Sequence, residues 1–132
     1  MDDAADYGDF PLKQHLGMEM SDAGPGVGVA HVQLSEQHHN PNGVVHGAVL
    51  FAMVDTAMGK ATMDVIDDGR FCASVDVQLR FIRPASAGSI EAEATVVKKG
   101  RHVVHLEARI IDDQHRLIAT AAGTFALIEI PS

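Results

Sequence analysis

Between His46 and Asp64 the chain carries one helix-length run, HGAVLFAMVDTAMGKATMD, that is apolar on nearly every face. A helix without a broad polar stripe has to be enclosed by the rest of its fold. After it the period changes to two. Val75, Val77, Leu79 and Phe81 alternate with Ser74, Asp76, Gln78 and Arg80 in a strand that ends at Pro84. Ile90, Ala92, Ala94 and Val96 alternate with polar residues in the next strand, and Val104, Leu106, Ala108 and Ile110 in the one after Gly100. These are one-faced strands. One enclosed helix followed by four consecutive strands with hairpin-length turns implies an α+β fold, with an antiparallel sheet wrapped around a long central helix.

The last strand, Leu117 to Ile130, is apolar or small on both faces, and its Ala119, Ala121, Ala122 and Gly123 call for close packing by the helix. No second helical layer follows, so the outer sheet face meets solvent or another subunit, and the two-sided apolar strand favours a subunit. Upstream, residues 1–16 read as a lead-in, and the whole stretch from Met1 to Met20 as irregular or helical, with Pro11 as a start or turn signal. Val27 to Leu34 alternates like a strand, and Ser35 to Val45 is a polar loop punctuated by Pro41 and Gly43. At 132 residues, a single domain over 1–132 is expected.

Composition narrows the function. A 46% hydrophobic and 21% charged chain is globular, and a net charge of -8 argues against nucleic acid or an anionic membrane as partner. One cysteine, Cys72, precludes an internal disulfide and points to a reducing compartment. The acidic start MDDAADYGDF does not resemble a signal peptide, and Asp55 and Lys60 interrupt the best membrane-span candidate. A cytoplasmic location is expected.

Asp55 is the single formally charged side chain between His46 and Met58. An ionised carboxylate in such surroundings is costly unless paired, hydrogen-bonded or solvated, and Lys60 is not at helical pairing distance. The helix start adds a second feature. First-turn N–H groups lack intrahelical acceptors and sit at the positive dipole end. Gly47 leaves its N–H open to close approach, and one well-placed donor is worth roughly 3 kcal/mol to a developing oxyanion. Asn40 offers a neutral donor from the preceding loop, and His46 is placed to orient that loop or contact a leaving group. Each has a plainer reading: Asn40 as a turn residue, Gly47 as a packing site, His46 as structural. The ordered set points to acyl transfer.

The stretch His38-His39-Asn40-Pro41-Asn42-Gly43-Val44-Val45-His46-Gly47-Ala48, continuing to Asp55-Thr56-Ala57, resembles the signature of hotdog-fold acyl-CoA thioesterases of the phenylacetic-acid-degradation type. Ser74-Val75-Asp76, Arg83-Pro84-Ala85, Lys99-Gly100-Arg101 and Ala122-Gly123-Thr124-Phe125 are similar too, so the resemblance covers the chain from about Gly17. It implies hydrolysis of an acyl- or aryl-CoA at sites shared across a dimer, with a homotetramer expected and no cofactor. By the same resemblance Gly47 donates its N–H to the thioester carbonyl, Asn40 assists, Asp55 is general base or nucleophile, and Ser74 positions the attacking water. Ala48 stands where many members have a second glycine. Strand alternation sets Ser74 opposite Val75 and Val77, away from the local core, where it serves only against a neighbouring subunit.

Arg83, Lys98, Lys99 and Arg101 are the densest cations and either form solvated surface or hold the CoA phosphates, as the resemblance favours. The eight histidines raise a metal, but His102 and His105, three apart on a strand, point to opposite faces, so no metal is expected. Met53, Met58, Met63 and Phe51 either line an adaptable acyl pocket or are plain core. Two alternatives remain: an acyl-CoA-binding hotdog protein without catalysis, and a hotdog enoyl-CoA hydratase.

Overall fold

The computed structural model describes residues 9–131. A short helix, α1 (Pro11–Leu16), opens with Pro11 in its first turn, where a missing N–H costs nothing, and closes on Gly17 at φ 65°. Then come β1 (Met18–Asp22), β2 (Val27–Gln33), a 3₁₀ turn at Glu36–His38, the long helix α2 (Gly47–Met63), and the strands β3 (Arg70–Phe81), β4 (Ser89–Lys99), β5 (Val103–Asp112) and β6 (Leu117–Glu129). The six strands form one antiparallel sheet in the order β1-β2-β4-β5-β6-β3, with α2 packed on one face. No helix among the described residues is long and apolar enough to cross a membrane.

The core lies between α2 and the sheet. Met53, Val54, Ala57, Met58 and Ala61 are fully buried against Val32, Ala92, Val104 and Ile110. Two glycines set the depth of contact. A Cβ on Gly28 of β2 would run into the Ala57 carbonyl oxygen, and one on Gly123 of β6 would stand 2.6 Å from Met58 Sδ. The small residues of the last strand do admit the helix, through Gly123. Lys60 bonds outward to Asp22 at 2.6 Å, and no ion pair with Asp55 is formed among the described residues.

Three expectations need correction. Met18–Asp22 is not part of an irregular or helical lead-in but an edge strand, paired from Met18↔Val32 to Asp22↔Gly28. Five residues with one buried side chain are too few to display a period. The passage from β3 to β4 is not a hairpin. β3 pairs with β6 at the sheet edge, while β4 lies between β2 and β5, so residues 82–88 cross the end of the sheet. This crossover is pinned by N–H bonds from Ile82 and Arg83 to the Ile118 carbonyl and from Val45 to the Ala85 carbonyl (2.8, 3.1 and 2.7 Å).

The third correction concerns β3 itself, where the alternation is broken. Ser74 pairs with Phe125 and Asp76 with Thr124, leaving Val75 as a bulge. An inserted residue reverses the facing of everything before it. Ser74 therefore shares the helix-facing side with Val77 and Leu79 instead of opposing them. Large exposed apolar side chains lie at and just past the ends of the last strand, where Leu117, Ile128 and Ile130 are exposed, and also along β3. Between those ends the outward residues of β6 are mainly Thr and Ala, and Val75, Phe81 and Ile82, on or just beyond edge strand β3, are 63%, 63% and 54% exposed.

Candidate active site

The loop before α2 is built on Asn40. Its backbone bonds Val44 and Gly43, and its side-chain Oδ1 accepts the N–H groups of Asn42 (2.8 Å) and Val44 (3.3 Å). Only an oxygen can accept those donors, so the amide NH₂ is turned away from its own loop. The turn role and the donor role of Asn40 are therefore compatible. His38, buried, takes the Ser35 N–H on Nδ1 and bonds the Leu16 carbonyl through Nε2 at 2.7 Å; His39 bonds the Ser86 carbonyl at 2.8 Å. These two histidines hold the loop to the lead-in and to the crossover.

His46 is the N-cap of α2. Its extended backbone (φ −69°, ψ 138°) stops the loop, its Nδ1 accepts the Ala48 N–H at 2.9 Å, and its carbonyl accepts Val49 N–H at 2.9 Å. With Nδ1 accepting, the neutral imidazole carries its proton on Nε2. His46 thus consumes two first-turn donors of the helix. The Gly47 N–H has no partner among the described residues, and it sits where the helix dipole is most positive. Gly47, Asn40, Leu50, Phe81 and Arg83 line one cleft of about 380 Å³.

Asp55 lies two turns further along α2, half-buried. Its Oδ1 is enclosed without a hydrogen-bond partner among the described residues, and the Ser74 side chain faces the carboxyl. Burial raises the Asp55 pKa above the ordinary carboxylate value, and the nearby Ser74 hydroxyl offsets part of that rise. The bulge at Val75 is what turns Ser74 towards the helix, so the contact needs no neighbouring subunit.

The residues singled out from the sequence thus form two groups: Asn40, His46, Gly47 and Arg83 at the start of α2, and Asp55 with Ser74 further along. Eight residues separate Gly47 from Asp55, about 12 Å of helix. A single carbonyl group does not span that distance within one chain. Nor do the four cations converge. Lys99 and Arg101 line a separate cleft of about 540 Å³ with Asp67, Asp68, Arg70 and Glu129, beyond the C-terminal end of α2, and Lys98 belongs to the same hairpin. That places them a helix length, about 25 Å, from Arg83.

Phe81 and Leu50 line the cleft but are absent from the sequence-derived set. Both look like ordinary apolar positions of a strand and a helix. What distinguishes Phe81 is its place as the last residue of β3, next to the crossover, and that depends on strand order.

A family model described as the thioesterase superfamily matches residues 42–119, a span that begins just after Asn40 and contains Gly47, Asp55 and Ser74. The 1,4-dihydroxy-2-naphthoyl-CoA hydrolase of Listeria monocytogenes is 22% identical over 116 residues, covering 88% of this chain and 94% of that protein. A thioesterase from Haemophilus influenzae superposes with a TM-score of 0.87 at 25% identity, over 92% of this chain and 85% of that one. The PaaI protein from the phenylacetic acid degradation operon of E. coli shares the fold, with a TM-score of 0.81 at 24% identity, over 92% and 85% of the two chains.

Proposed function

Because this chain belongs to the thioesterase superfamily and is a thioester hydrolase of hotdog fold, we propose that it hydrolyses acyl-CoA thioesters at sites shared between two copies. The carbonyl binds at the Gly47 N–H and the Asn40 amide of one copy, and a second copy supplies Asp55. The observation that carries this reading is the half-buried Asp55 carboxyl, which among the described residues has one oxygen without a hydrogen-bond partner and no ion-paired cation. Its raised pKa brings its basicity closer to the operating range of a general base.

In the proposed reaction water attacks the carbonyl carbon as Asp55 takes its proton. The oxyanion gathers at the Gly47 N–H and the Asn40 NH₂, and its collapse breaks the C–S bond, with the proton returned to the departing thiolate. Ser74, on the Asp55 carboxyl, is placed to orient the water. Direct attack by Asp55 through an anhydride uses the same groups. Single turnover in ¹⁸O-water separates the routes, because only the anhydride route leaves label in the Asp55 carboxyl. Arg83, on the Gly47 cleft, meets the CoA first. Lys98, Lys99 and Arg101 act on the same CoA only from the second copy.

The separation of Gly47 from Asp55 makes a mixing experiment decisive. Asp55→Asn removes the base. Gly47→Pro removes the N–H at a first helical position, where proline is tolerated after the extended backbone of His46. Each variant alone is expected to release little free thiol from acyl-CoA. Mixed after dissociation, they should recover about a quarter of wild-type activity, since random pairing makes half the dimers mixed, each with one intact site. Two inactive variants whose mixture stays inactive would exclude the shared site.

A further inference from the structure

Phe81 is the residue of the cleft that core packing does not explain. It is the last residue of β3, paired with Ala119 on the helix-facing side, yet it is 63% exposed. The chain turns away immediately after it, as Ile82 and Arg83 bond the Ile118 carbonyl. The ring consequently projects past the end of the core and over the start of α2. Its Cε1 and Cζ lie 3.1 Å from the point where a Cβ on Gly47 would stand. A side chain here would press on an aromatic edge, and no unusual backbone torsion calls for the glycine. The residue it touches is the one whose first-turn N–H is left free.

We propose that Phe81 is a positioning residue for the thioester carbonyl, its ring closing one side of the Gly47 N–H so that an oxygen approaches from the cleft alone. This rests on Gly47 as the oxyanion donor. The ring acts in two ways. Its hydrocarbon edge excludes water from one flank of the donor, and a hydrogen bond to a developing charge strengthens where water is excluded. Its edge also carries the positive side of the aromatic quadrupole, which tolerates an adjacent oxyanion. Both effects grow as the carbonyl gains charge, so they belong to the transition state more than to substrate binding. Gly47 and Phe81 then form one unit: a methyl group at 47 acts by displacing the ring.

The test is a double-mutant cycle on thiol release from acyl-CoA, with Asp55→Asn run alongside. Phe81→Ala should lower kcat about tenfold with KM within about threefold, and Phe81→Tyr, which keeps the ring, should stay near wild type. Gly47→Ala should cost about tenfold in the wild-type background but no more than about twofold in Phe81→Ala, the non-additivity of a coupled pair. Phe81→Leu gives the same reading if Phe81→Ala fails to assemble by sedimentation, since it keeps bulk without the flat edge. Phe81→Ala or Phe81→Leu with kcat within about twofold of wild type, or independent multiplication of the Gly47→Ala and Phe81 effects, overturns the proposal. An active Asp55→Asn instead removes Asp55 as the base of the proposed reaction and leaves the thioester hydrolysis to be assigned to other groups. An inactive Asp55→Asn with uncoupled Phe81 variants removes this inference alone.

Discussion

If Asp55 is the base proposed above, catalysis and stability pull in opposite directions there. Burial raises its pKa, so the folded protein holds that proton more tightly than the unfolded chain does. The ionised form therefore costs stability above the folded pKa, and the cost fades as pH falls through it. Activity has the reverse sign, because only the carboxylate accepts a proton. The acid limb of kcat/KM should consequently fall at a pH above the ordinary carboxylate range. Asp55→Asn should lose about 10²- to 10⁴-fold in turnover while melting no lower than wild type. A variant that kept its turnover, or one whose loss tracked a lowered melting temperature, would show that Asp55 is structural. Legibility at this scale was uneven. Asp55 stood out because one charge interrupts an apolar helix, but Ser74 was assigned to the wrong face. The bulge at Val75 leaves no mark in composition and exists only where β3 meets Phe125 and Thr124.

Among the elements, α2 was the most readable. The expected span His46–Asp64 differs from Gly47–Met63 only by its two cap residues. Its apolar circumference, with a glycine near the start, is written into the local sequence. How closely it approaches the sheet is not. Gly28 looks like any glycine of a strand, yet its missing side chain is where the Ala57 carbonyl sits. Gly28→Ala should therefore cost roughly 1–3 kcal/mol by overpacking, a drop of several degrees in melting temperature. An unchanged melting curve would mean that β2 and α2 slide apart freely. β1 and the crossover at 82–88 were missed for a related reason. A five-residue strand and a loop acquire identity only from the partners they bond.

For the whole molecule the issue is charge and the second copy. A chain of net charge -8 does not attract a polyphosphate by its mean field, so CoA binding depends on local cations. Reversing Lys99 and Arg101 to glutamate should raise KM for acyl-CoA several-fold with kcat little changed, the signature of lost uniform binding. If KM does not move, Lys98 and Arg83 are the remaining candidates. For the second copy proposed above, the exposed Val75, Phe81 and Ile82 along edge strand β3 offer an apolar surface beside the exposed Leu117 and Ile128 of the last strand.

The sequence by itself determined the enclosed helix, the alternating strands and the family resemblance, and it singled out Asn40, Gly47 and Asp55 as candidates, because each is carried by local spacing and residue chemistry. The tertiary structure alone decided three further things: that Ser74 turns to Asp55, that Phe81 closes over Gly47, and that the cations fall into two groups. Those facts follow from a bulge, a crossover and the length of a helix. Each is a relation between residues far apart in the chain, and strand order and register bring such residues together without leaving a local signal.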